Sequence, residues 1–106
     1  MVIDVRFLPN PYYVAELQAL CGLDQEVADY VLDSNVTRSF LQKYMDLLAF
    51  LLPNYRLEGK RHFTVAVGCT GGRHRSVAMT EELARRISEL GYTVMASHRD
   101  MDRKRG

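Results

Sequence analysis

The six residues from Phe63 to Gly68 are apolar or β-branched at nearly every position, and they run straight into Cys69-Thr-Gly-Gly-Arg-His-Arg-Ser76. So short an apolar run, without polar alternation, reads as a strand covered on both faces, as in a parallel sheet. Gly71 and Gly72 then let the chain turn with positive φ, and a helix is expected from near Arg75. A buried strand, a tight turn and a helix in immediate succession narrow the choices to an α/β fold.

The rest of the chain fits that frame. Val2 to Leu8 reads as a short strand, and Pro9-Asn10-Pro11 forces a turn. Asn10 suits an N-cap and Pro11 the first helical position, so a helix is expected from Pro11 to about Leu20, ended by Gly22. Asp24 caps a second short helix through Leu32, with Val27, Tyr30 and Val31 on one face. A third, from about Asn35 to Leu52, carries Val36, Phe40, Tyr44, Leu47, Leu48 and Leu51 at spacings of three and four, and Pro53-Asn54 is expected to stop it. Val77, Thr80, Leu83, Ala84 and Ile87 mark the buried stripe of a fourth helix, with Gly91 as its left-handed stop. Thr93 to Ser97 reads as a third strand. The expected architecture is a small, mainly parallel sheet of three to four strands flanked by helices on its faces. So narrow a sheet has exposed edges, which a fourth strand, homo-oligomerisation or a neighbouring domain would relieve.

Composition sets the bounds. A chain of 106 residues is the size of one domain, and 47% hydrophobic with 25% charged residues is ordinary for a soluble globular protein. The longest mostly apolar run, Leu47 to Leu52, is far too short to span a membrane. With no secretory signal pattern at the start, a cytoplasmic setting is expected. Cys21 and Cys69 sit in no disulfide framework and read as thiols. His62, His74, His98 and Cys69 lack zinc-type spacing, so neither a metal nor another cofactor is expected.

The chemistry concentrates after Gly68. Ligands of open α/β sheets bind beyond the carboxyl ends of the strands, where this loop must lie. The backbone N–H groups of Thr70, Gly71 and Gly72, together with those of the helix start, favour an anion. Arg73 and Arg75 add guanidinium groups that fit a phosphate, Ser76 and Thr70 offer hydroxyls, and His74 titrates near neutrality. Lys60 and Arg61 are expected to bracket the same loop, and Arg6 and Arg99 to reach it if strands one and three flank strand two. Neither a Gly-Lys-Ser/Thr nor a GxGxxG pattern is present, which argues against nucleotide hydrolysis by this chain. The spacing Cys69-x5-Arg75-Ser76 matches cysteine-dependent phosphatases, though Gly68 stands where those enzymes usually carry His and no general acid is evident. The tail holding Arg99, Arg103, Lys104 and Arg105 is basic enough to meet RNA phosphates.

These residues resemble a known family. Asp4-Val-Arg-Phe-Leu-Pro-Asn-Pro11, Gly22-Leu-Asp24, Thr64 to Ser76 and His98-Arg99 are similar to the C-terminal domain of the RapZ (YvcJ-type) RNase adapter and nucleotide-binding proteins, over essentially the whole chain. The resemblance implies a regulatory module, residues 1–106, that follows an N-terminal P-loop ATPase/GTPase domain absent from this chain. It implies binding of an amino-sugar phosphate, glucosamine-6-phosphate in the best-understood members, through Thr70, Gly71 and Arg75, with Cys69 and His74 in the same loop. It further implies small regulatory RNA bound through Arg103, Lys104 and Arg105, with delivery to an endoribonuclease. Members that sense the sugar phosphate have His where this chain has Tyr12, and a tyrosine donates a hydrogen bond without carrying charge. The expectation is therefore a binding module without chemistry of its own, taking a phosphorylated small molecule or another oxyanion. The competing expectation is a phosphatase acting through Cys69 and Arg75.

Overall fold

The structure is a computed structural model, which describes residues 1–69 and 74–98. It has the order β1 (Val2–Asp4), a 3-10 turn (Pro11–Tyr13), α1 (Gln25–Leu32), α2 (Asn35–Leu57), β2 (Ala66–Gly68) and α3 (Arg75–Glu89). β1 and β2 pair in parallel, with Val2 opposite Ala66 and Asp4 opposite Gly68. The pair is extended by Val5 N–H to Gly68 O and by the Met1 nitrogen to Thr64 O.

The mixed helix and strand character is as expected, but among the described residues the sheet has two strands. Thr93 to Ser97 forms no strand. The sheet is also covered on one face only. Ile3, Val5, Val65 and Val67 pack against the helices, while Val2 is 81% exposed and Ala66 and Gly68 lie open beside it. A run that is apolar at every position thus occupies a half-buried strand here, because periodicity cannot distinguish one covered face from two.

The helix expected over Pro11 to Leu20 is a three-residue 3-10 turn followed by turns. Asn10 does cap it, its Oδ1 accepting from Tyr12 N–H, but Val14 returns to the extended region. Tyr12, Tyr13 and Val14 are poor helix formers in succession, and only Leu17 of the stretch that follows anchors in the core.

α2 runs through Pro53 instead of stopping before it. Proline removes one intrahelical hydrogen bond, yet the last turn is held by Leu52 in the core, the Tyr55–Phe63 ring pair at 5.0 Å and Arg56 over the Tyr92 ring at 4.6 Å. The stop is Gly59, at φ +79°. Lys60 N–H donates to Tyr55 O and Gly59 N–H to Arg56 O, which satisfies the last carbonyls in a Schellman motif. The buried stripe of α2 is Thr37, Leu41, Tyr44, Leu48 and Leu52, turned from the expected one so that Val36 and Leu47 are 45% and 44% exposed. Tyr30 of α1 is likewise exposed, whereas Val27 and Val31 are fully buried.

A polar contact fixes that rotation. Thr37 is fully buried, and its hydroxyl donates to Val31 O at 2.6 Å, locking the start of α2 onto the end of α1. Thr37→Val keeps the shape and strands that carbonyl, so a loss of about 1–2 kcal/mol is expected in urea denaturation.

α3 begins and ends near the expected residues, with Gly91 at φ +96° after its last turn. Val77, Met79 and Leu83 are buried, while Thr80, Ala84 and Ile87 are only half-buried. On its outer side, burial pushes the Glu82 carboxyl up, but hydrogen bonds from Arg85 and Arg86 outweigh this and hold it below the ordinary glutamate value. A depressed folded-state value stabilises the fold above the unfolded-state value and loses that contribution as pH falls through the folded one. Glu82→Gln should therefore cost roughly 0.5–1 kcal/mol at neutral pH and nothing in acid, measured as urea midpoints across the two conditions.

Candidate functional site

Both parallel strands end at the same edge of the sheet, so the segment after Asp4 and the segment after Gly68 share that edge. Cys69, His74, Arg75 and Ser76 are described there. Thr70, Gly71, Gly72 and Arg73 of the loop, and Arg99, Arg103, Lys104 and Arg105 of the tail, lie outside the described residues.

α3 starts without a conventional cap. His74 occupies the N-cap position but makes no side-chain cap bond; its backbone carbonyl accepts from Ala78 N–H. The acceptor for Ser76 N–H is instead the Cys69 sulfur, at 3.2 Å. A thiol at the end of β2 thus stands at the positive end of the helix dipole. Ser76 is 6% exposed beside it.

The side chains of His74 and Arg75 reach the segment that follows β1. His74 is 3% exposed, and its Nε2 lies 3.2 Å from Gln18 O, on the turns that replace the expected first helix. Arg75 is 5% exposed, with Nη1 2.5 Å from Arg6 O and 3.4 Å from Leu8 O. Its guanidinium is a strut between the start of α3 and the turn that leaves β1. That turn continues through Asn10 to Tyr12, which is 40% exposed and whose ring meets Tyr13 edge-on at 5.8 Å. The strut therefore ties the Gly-rich loop's far end to the segment that carries Tyr12.

Arg6 is exposed and paired with Asp4 at 2.7 Å, and that guanidinium holds the Asp4 carboxyl below its usual range. Lys60 and Arg61 do not bracket the loop. They precede β2 and so lie at its opposite end, with Arg56 and His62, because Gly59 ends α2 there.

The contact that sequence reading missed is Gly22. A Cβ there would stand 2.4 Å from Ala78 N, 2.5 Å from His74 O and 2.8 Å from Val77 Cβ. Its place is thus set by close approach to the first turn of α3. A glycine just before the capping Asp24 was the available signal.

Between β2, α2, α3 and residues 92–98 lies a cleft of about 760 Å³ that reaches from Arg56 and Lys60 to Cys69, Ser76 and His98. No cluster of His, Cys, Asp and Glu suited to a metal occurs among the described residues. Nor is any of their helices long and apolar enough to cross a membrane.

A small parallel pair, followed in sequence by a glycine-rich segment and then a helix, defines a small α/β module. Residues 1–102 match the family described as RapZ C-terminal domain, and the chain belongs to that family. It is 57% identical over 103 residues to a nucleotide-binding protein of Geobacter sulfurreducens, covering 97% of this chain and 36% of that relative. It is 51% identical to nucleotide-binding proteins of Carboxydothermus hydrogenoformans and Bacillus thuringiensis, covering 99% and 100% of this chain and 36% of each relative. The chain thus spans about a third of the length of the curated relatives it matches.

Proposed function

We propose that residues 1–106 form a regulatory binding module that takes a phosphorylated small molecule at the Gly68 to Ser76 loop. The ligand class is an amino-sugar phosphate such as glucosamine-6-phosphate. The supporting observation is the start of α3: its N-cap side chain makes no cap bond, and a soft sulfur acceptor meets Ser76 N–H at the edge where both strands end. An incoming phosphate oxygen is a stronger acceptor for that N–H. Thr70, Gly71, Gly72 and Arg73 supply the remaining donors in this reading, and Tyr12, carried by the braced turn, selects the ligand's sugar end. RNA is taken by Arg99, Arg103, Lys104 and Arg105, for hand-over to an endoribonuclease or another protein partner. Nucleotide binding, which the relatives' names state, belongs in this reading to the two-thirds of their length outside the matched region.

Calorimetry with glucosamine-6-phosphate is expected to give binding heat that Arg73→Ala and Thr70→Ala reduce at least tenfold. Undiminished binding by both variants would remove the loop from the site. A mobility-shift titration should show RNA affinity that falls with salt, with a flatter slope once Arg103, Lys104 and Arg105 are neutralised.

One observation favours a second reading, a phosphatase: the Cys69 sulfur accepts from Ser76 N–H at a helix N-terminus. Arg75 weighs against it, since its guanidinium donates to two backbone carbonyls. Hydrolysis of an aryl phosphate, abolished in Cys69→Ser, would establish the phosphatase instead.

A further inference from the structure

The cleft is bounded by an edge that lacks a partner. Ala66 N–H donates to Met1 O and Gly68 O accepts from Val5 N–H, so the even-numbered residues of this stretch direct their backbone groups at β1. Strand alternation turns the groups of Val65 and Val67 the other way, into the cleft, where they make no backbone bond among the described residues. Residues 92–98 also line the cleft, in neither helix nor strand and without a backbone bond among the described residues.

That segment has the pattern of the missing strand. Tyr92, Val94 and His98 are half-buried while Thr93, Met95 and Ser97 are exposed, Met95 to 95%; Ala96 is exposed as well and would be covered only on pairing. The edge of β2 shows the same alternation, with Phe63, Val65, Val67 and Cys69 packed inward and Thr64, Ala66 and Gly68 outward. Two contacts set the level of one run against the other. Phe63 packs on Tyr55 and Tyr92 lies under Arg56, which are neighbours in the last turns of α2. Counting along both runs from that level puts Val94 opposite Val65, Ala96 opposite Val67 and His98 opposite Cys69. At the upper end, His98 Nε2 is shielded from solvent without a hydrogen bond, 3.4 Å from Glu81 Oε1, an ion pair only when the ring is protonated.

We propose that residues 92–98 are a strap that closes on the free edge of β2 as a third parallel strand in this register, bringing His98 beside Cys69 and the start of α3. The closed form is the one that holds an anion at the loop, a coupling that rests on the function proposed above. Closure fills the cleft, pairs the open edge and delivers an imidazole beside Cys69. In the closed register Met95 N–H donates to Val65 O and Ser97 N–H to Val67 O, while Val94 and Ala96 point their N–H groups outward.

Amide hydrogen exchange of the 106-residue chain, followed by NMR with and without saturating inorganic phosphate, tests this. Phosphate is expected to slow exchange at Val67, Met95 and Ser97 by about tenfold or more, and to leave Val94 and Ala96 unchanged. Met95→Pro, which deletes a bonding N–H, should abolish the protection, whereas Ala96→Pro should retain it. If the Ser76 amide resonance shifts with phosphate and the alternating protection does not follow, the coupled closure is wrong while the anion site stands. If Ser76 does not respond, the anion reading fails first. Closure is then decided in phosphate-free solution, where equal exchange at Met95, Ser97, Val94 and Ala96 overturns it and alternating exchange lost in Met95→Pro alone upholds the strand.

Discussion

Replacing Gly22 by alanine is expected to lower the unfolding free energy by about 2–3 kcal/mol, read as a fall in urea midpoint at unchanged slope. The added methyl would meet the backbone of His74 and Ala78, at distances no real Cβ adopts. Backbone atoms of a helix's first turn yield only if the turn moves, and overpacking of this kind costs 1–3 kcal/mol or somewhat more. Gly59→Ala is the useful contrast. Nothing lies within 4 Å of its added carbon, and the cost comes only from φ +79°. About 1 kcal/mol is expected there. Because His74 and Ala78 flank Arg75 and Ser76, Gly22→Ala should also weaken phosphate binding beyond its effect on stability, whereas Gly59→Ala should leave it alone. Equal effects of the two substitutions on the Ser76 amide resonance would contradict this account of Gly22.

Arg75→Ala should be as costly, about 3 kcal/mol. Two carbonyls, Arg6 O and Leu8 O, lose their shared donor inside the protein, and each stranded acceptor is worth about 1–3 kcal/mol. Arg75→Lys should recover only part of this, since one ammonium lacks the forked geometry that serves two acceptors. Denaturation of both variants, with the Tyr12 resonances as a reporter of the braced turn, checks the prediction. Stability within 0.5 kcal/mol of the parent would show the strut to be dispensable. The consequence for ligand work is direct. Loss of binding in an Arg75 variant reports loss of the brace as well as loss of a charge, so Arg73 and Thr70 are the informative positions.

Some of this was legible beforehand, for local reasons. Asp24 and Gly91 lie at helix ends as expected, although the Asp24 carboxylate accepts from Cys21 N–H and makes no cap bond to α1. Pro53 misled because its penalty is fixed while the opposing term, the anchoring of Tyr55 and Arg56 by Phe63 and Tyr92, depends on residues up to 36 positions away. The Schellman glycine, Gly59, was a visible local signal that the proline obscured. At the site, the types of residue were readable and their directions were not. Arg75 reads as a phosphate ligand from its neighbours in sequence, whereas its guanidinium answers to carbonyls 69 and 67 residues away. The third strand is the opposite case. Thr93 to Ser97 has the composition of a strand, and what is lacking among the described residues is the pairing.

The parallel pairing of residues 2–4 with 66–68 also bears on the order in which the molecule assembles. The backbone bonds within α1, α2 and α3 are local, although α1 also packs on α3 across the whole of α2; the sheet closes a crossover of some sixty residues, and ordering such a loop precedes any return from the ladder. Helix formation therefore comes early and strand pairing late. Since the carboxyl edge of that pair carries the Arg75 strut and the proposed anion site, that site is expected to form with the pairing, late in folding, and to be lost early under mild denaturation.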